Sequence, residues 1–156
     1  MILKKIFIVL IFTLSVSYLY SQDCTDYHIN KGHWTDDSYL YSRQSKSALF
    51  VQGMTSEFVI TVYGGEDYYV AVNSHRKLGT TRIRIKEDTE DKNVLYDNAQ
   101  FDYENFFFFR NENTRNLIIE VSSLAEEEFS NSSKRYCLGV LIQFRTYRDK
   151  QTKTGF

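Results

Sequence analysis

The residues of this chain that could do chemistry are its cysteines, histidines and clustered carboxylates, and their spacing sorts them quickly. Cys24, His28 and His33 stand at Cys-x3-His-x4-His spacing. A zinc reading needs three or four converging ligands, and three residues in one short segment do not supply a closed site. Cys24 and Cys137 are the only 2 cysteines. In an exported chain such a pair is expected to form a disulfide, which withdraws Cys24 from metal binding. A redox or nucleophilic role has no support, because there is no Cys-x-x-Cys and no histidine near Cys137 in sequence. Asp88, Glu90, Asp91 and Asp97 put oxygen donors into neighbouring loops, which is calcium chemistry in kind. They lack the Asp-x-Asp-x-Asp-Gly pattern, and acidic residues are ordinary in turns, so no metal or other cofactor is expected. Catalytic signatures are absent too: no Gly-x-Ser-x-Gly elbow, no His-Glu-x-x-His and no P-loop. Glu66 and Asp67 are adjacent carboxylates, but neighbours on a strand point to opposite faces and cannot flank one glycosidic bond. The expectation is a protein that is not an enzyme, with a hydrolase as the remaining alternative.

Aromatic side chains are the second group. The chain has 12 Tyr, 12 Phe and 1 Trp, or 16% aromatic. Period-2 alternation leaves too few inward positions for all of them, so some must face outward. Phe106 to Phe109 split accordingly. Phe107 and Phe109 are expected in the core with Leu117, Ile119 and Val121; Phe106 and Phe108 are expected outside, with Ile118 and Glu120 opposite them across a hairpin. Tyr39 and Tyr41 share a face beside Trp34. The candidate binding residues are therefore Phe106, Phe108, Ile118, Trp34, Tyr39 and Tyr41, since exposed rings stack on sugars and anchor protein interfaces. The competing reading is packing alone, because aromatics are favoured in strands without any ligand.

The elements that must position these residues are short strands. Lys4 and Lys5 precede an apolar run from Ile6 to Val16 and small residues around Ser21, the layout of a signal peptide over residues 1–21. The run is short of the ~20 residues a membrane span needs, so no span is expected after cleavage. Residues 22–156 then form a single domain of about 135 residues, modestly acidic once the leader's lysines are removed. No basic cluster points to nucleic acid.

From Lys46 onward, alternation and turn residues repeat. Residues 56–63 put Phe58, Ile60 and Val62 on one face. Gly64 and Gly65 form a turn, and residues 67–73 return with Tyr68, Val70 and Val72 inward, which reads as a hairpin. Ile83 and Ile85 oppose Arg82, Arg84 and Lys86. The last strand, 135–147, puts Tyr136, Leu138, Val140, Ile142 and Phe144 on one face and Cys137 on the other. The disulfide would then pin the N-terminal segment across the outside of a sheet. Residues 124–134 are acidic and Ser/Asn-rich and read as a loop. About eight strands and 0 prolines give an all-β, antiparallel, jelly-roll-like β-sandwich.

Residues 53–72, with the Arg-Ile-Arg-Ile run at 82–85, the segment 93–98 and the stretch 106–121, resemble small β-sandwich domains of the bacterial pre-peptidase C-terminal type. They also resemble the secreted single-domain relatives of those domains. The resemblance implies a non-catalytic sandwich that accompanies secreted enzymes or binds carbohydrate or protein. The functional expectation is a secreted or periplasmic binding module with a protein or carbohydrate partner at the cell envelope, acting through outward aromatics. The alternative is a structural accessory of an envelope or secretion assembly.

Overall fold

A computed structural model describes residues 23–124 and 134–147; the segment 1–21 expected to be a leader and most of the acidic 124–134 stretch lie outside the described residues. One four-residue helix, α1 (Tyr27–Asn30), precedes nine strands: β1 (Leu40–Tyr41), β2 (Lys46–Phe50), β3 (Thr55–Val62), β4 (Glu66–Ser74), β5 (Thr81–Glu87), β6 (Val94–Asp97), β7 (Phe106–Asn111), β8 (Arg115–Ser123) and β9 (Tyr136–Thr146). They form two antiparallel sheets. In the five-stranded sheet β9 pairs with β1 and β2 along one edge and with β4 along the other, and β4 pairs with β7; the four-stranded sheet runs β3-β8-β5-β6. Consecutive strands mostly alternate between sheets, the connectivity of a jelly roll.

Inward-facing residues fill the space between the sheets as period 2 requires. Ile60, Val62, Tyr68, Val70, Ile83, Ile85, Leu117, Ile119, Val140 and Ile142 are at most 3% exposed. Phe107 joins them, and Phe109 packs against the same core. Gly65, at φ 77, supplies the left-handed turn between β3 and β4, where a side chain would strain the backbone.

Two pairings differ from expectation. The 56–73 segment is not a hairpin: β3 pairs with β8, whereas β4 pairs with β7 and β9. Nor do β7 and β8 pair, since β7 lies beside β4 in the opposite sheet. The cause is physical. A glycine turn between alternating strands serves a hairpin or a corner from one sheet to the other equally well.

The outer face of the five-stranded sheet is covered by residues 24–39, a strap fixed at its start by the Cys24–Cys137 disulfide. Cys137 thus faces outward, and the bridge closes a sequence separation of 113. The strap lies close upon β9: a Cβ on Gly139 would stand 2.6 Å from the His28 backbone nitrogen and Cα. Its Tyr39 closes a second, smaller apolar cluster with Tyr69, Ala71 and Leu141 of the sheet, with Phe106 against it.

Candidate functional site

Sheet register builds the outer face row by row. At one end, Asp67 of β4 lies between Arg145 of β9 and Arg110 of β7. In the next row Tyr69 lies between Gln143 and Phe108, and in the next Ala71 lies between Leu141 and Phe106. The strap crosses these rows. The Tyr69 hydroxyl donates to the His33 carbonyl at 2.8 Å, and the Thr35 amide donates to Gln143 Oε1 at 3.0 Å. His33 stacks on Phe106 with centroids 6.2 Å apart.

Where the strap leaves the sheet, an open groove of about 500 Å³ remains, lined by Tyr39, Asp67, Phe108, Arg110 and Arg145, with Thr35, Asp36 and Phe109 at its margin. Phe108 is its exposed ring, at 53%. The ring is nonetheless held: Tyr69 lies 4.8 Å away and Tyr39 6.0 Å away, in tilted and edge-on geometries favourable to aromatic pairs. The arginines are held as well. Arg110 Nε donates to Asp67 Oδ1 at 2.8 Å, and Arg145 Nε donates to Asp67 Oδ2 at 3.3 Å. Their guanidinium faces lie over Tyr147 at 3.5 Å and Tyr39 at 4.6 Å. The Arg110 hydrogen bond, reinforced by Arg145, holds the Asp67 carboxyl below its ordinary range, so it stays ionised. The groove presents one ring, two half-exposed guanidiniums and a carboxylate on a rigid sheet.

At the β1 side, Trp34 is 45% exposed and tilted against Tyr41 at 6.0 Å, its indole N–H donating to the Ile29 carbonyl. Tyr41 is partly exposed, while Tyr39, the last residue of the strap, is buried against Tyr69 and Leu141. Under α1, buried His28 contacts the Ser47 hydroxyl through Nδ1 at 2.6 Å and the Tyr41 hydroxyl through Nε2 at 3.0 Å. Burial lowers its pKa, favouring the neutral ring. Its role is to fasten the strap.

The structure therefore gathers Phe106, Phe108, Tyr39, Tyr41 and Trp34 on one face of the sandwich. Ile118 is on the other. It lies in β8, between Val59 and Lys86 in register, and is only 4% exposed. The expected patch uniting Phe106, Phe108 and Ile118 does not form, because β7 and β8 belong to different sheets. Around Ile118 runs an ion network in which Lys86 bonds Glu57 at 2.8 Å and also Glu120, and Arg84 bonds Glu120. The calcium candidates disperse. Asp97 bonds Arg82 and caps the turn at Ala99, while Asp88, Glu90 and Asp91 remain in the β5–β6 loop. Among the described residues, no group of three or more acidic, histidine or cysteine side chains could hold a metal ion. Glu66 and Asp67 do diverge as adjacent strand residues must: the first accepts from the Tyr68 hydroxyl, the second holds the arginines.

Asp67, Tyr69, Arg110 and Arg145 were not among the candidates drawn from sequence. Alternation shows that each shares a face with its i±2 neighbours. Their meeting depends on the non-local pairing of β4 with β7 and β9, for which no local signal exists.

No family model matches the chain, and no curated protein matches it in sequence. The sandwich implied by the pre-peptidase C-terminal resemblance is present, without a family match beneath it. Among solved structures, the chain is similar to PliG of Aeromonas hydrophila, a periplasmic lysozyme inhibitor of g-type lysozyme. The identity is 7% and the TM-score 0.49, over 72% of this chain and 92% of that one. At that level the likeness carries no argument about function.

Proposed function

We propose that this protein is an exported, non-catalytic binding module that recognises a protein partner through the groove at Phe108. The observation that carries the reading is Phe108 itself: a large apolar ring, more than half exposed, yet fixed by Tyr69 and Tyr39 and flanked by two arginines on stiff strands. Aromatic and arginine side chains are the residues that dominate interface energetics, and pre-ordering lowers the entropy cost of using them. The disulfide supports an oxidising compartment, hence secretion or the periplasm, in keeping with the leader at residues 1–21.

One observation favours a carbohydrate as a second reading. Trp34 offers a half-exposed indole braced by Tyr41, the kind of surface on which a sugar ring stacks. Affinity capture from envelope fractions, beside a glycan array, separates the two. The protein reading expects a discrete captured protein that F108A and R110A each reduce at least about tenfold, or ~1.4 kcal/mol, with no glycan signal. A glycan signal lost in W34A, with no F108A-sensitive protein, would replace it with the carbohydrate reading.

A further inference from the structure

Strand β7 is a sheet edge, and its backbone can be assigned group by group. The Val72 amide donates to the Asn105 carbonyl at 2.7 Å, and the His75 amide donates to the Cys137 carbonyl at 3.0 Å. Each extends a ladder whose register is regular. Hydrogen-bonded pairs alternate in an antiparallel ladder, so Val70, Tyr68 and Glu66 bond Phe107, Phe109 and Asn111. The odd-numbered residues of β4 bond β9 instead. Phe106, Phe108 and Arg110 therefore turn their N–H and C=O groups away from β4. Among the described residues, none of these groups has a backbone partner.

The other sheet edges carry protection. On β3 the Gln44 side chain occupies the edge, accepting from Thr61 N–H at 2.8 Å and donating to Thr61 C=O at 2.9 Å. Strand β6 has four residues and a register irregularity against β5. On the far side of β9 the edge is broken into β1 and β2, and the strap binds Ser47. Bulges, short strands and covering groups are the usual means of blocking edge-to-edge association. Strand β7 has neither a bulge nor a proline, and its sequence is the most aromatic run in the chain.

We infer that β7 is the docking edge for a second copy of this chain, pairing antiparallel with its own counterpart about a two-fold axis at Phe108. The argument for this occupant is self-complementarity. With the axis at Phe108, the outward groups of Phe108 meet those of the partner's Phe108, and those of Phe106 meet those of the partner's Arg110. Within β7 no like charges face each other; one residue past the paired run, Glu104 falls opposite the partner's Glu112. The side-chain pairs are aromatic against aromatic and guanidinium against aromatic, both favourable across strands. An axis at Arg110 would instead oppose two guanidiniums. Because the pairing extends the sheet in its own plane, the outer face stays open and the two Phe108 grooves merge into one continuous surface. The second copy thus completes the recognition face, although the pairing itself stands on backbone geometry and does not depend on the partner-binding reading.

Sedimentation equilibrium of the purified protein tests the inference, with expected masses of two chains for wild type and F108A and one chain for F108P. Residue 108 donates no hydrogen bond to β4, so proline there removes an outward donor while sparing the internal ladder, a change that edge strands accept. A far-ultraviolet spectrum matching wild type and an intact disulfide establish that F108P has folded. Introduced thiols give a second readout independent of proline: oxidised F108C should cross-link to a species of twice the mass, whereas V59C, on the β3 edge, should not. A monomeric wild type, a dimer undiminished by F108P, or cross-linking through V59C in place of F108C would each overturn the inference.

Discussion

At the residue scale, the four adjacent phenylalanines are two different objects. Phe107 is 8% exposed and sits 4.1 Å from the Tyr96 ring in the core, whereas Phe108 is 53% exposed. Truncating a buried Phe to Ala removes its transfer energy and leaves a cavity, so F107A should cost about 3–5 kcal/mol in chemical denaturation. F108A should stay within about 0.5 kcal/mol of wild type, as surface changes usually do. Asp67 and His28 add pH dependence in measurable directions. Arg110 and Arg145 lower the Asp67 pKa below its unfolded value of 3.8, so its stabilisation is fully present above that value. It is lost as pH falls through the folded value. With the arginines half-exposed, screening limits the contribution to about 1 kcal/mol, and D67N should flatten the acid limb of stability against pH by that order. His28 is a base whose folded pKa burial has lowered from 6.5. Its contribution is likewise present above the unfolded value and lost as pH falls below it. H28Q should therefore reduce the stability decline between pH 7 and pH 5, read from thermal midpoints.

At the scale of elements, the strap and the edge of β9 depend on each other. The disulfide closes a loop for which chain entropy alone gives a ceiling of about 4.7 kcal/mol. Replacing Cys24 and Cys137 with serine should lower global stability by about 2–5 kcal/mol and release amide protection in residues 24–39 before any loss in β4 or β8. G139A probes the same contact from the sheet side. Its new methyl would meet His28 backbone at 2.6 Å, so the strap must lift, with an expected cost of about 1–3 kcal/mol. The tether was legible in sequence, because the chain has only two cysteines and alternation turns Cys137 outward. From Lys46 onward, strand existence and inward faces were legible for the same reason of parity: Ile83 against Arg84, Tyr68 against Asp67, Phe107 against Phe108; the two-residue β1 was too short to show any. Strand partnership was not. Parity says which way a side chain points and nothing about which strand lies alongside, and a jelly roll sends almost every connection to the other sheet.

At the scale of the whole molecule, the two outer faces have different fates. On the face of the four-stranded sheet, Glu120 ties Lys86 and Arg84 and Lys86 also reaches Glu57, around a buried Ile118 and beside a half-exposed Val59. The face of the five-stranded sheet is closed by the strap except at one end, and there Phe108, Arg110 and Arg145 stand open. Trp34, Tyr39 and Tyr41 were recognisable beforehand as neighbours in one segment. Tyr39 meets Phe108, and Trp34 and Tyr41 share its face from the opposite edge, only because β1 and β7 flank β9 and β4 in a single sheet. The most direct measurement is site-specific photo-crosslinking in the native envelope fraction, from a photoreactive residue at position 108 and, separately, at position 59. The proposed recognition surface predicts a discrete adduct with a protein other than a second copy from position 108, suppressed by excess wild-type protein and not by R110A, and none from position 59. Adducts from position 59 alone, or from both positions without suppression by wild type, would contradict it.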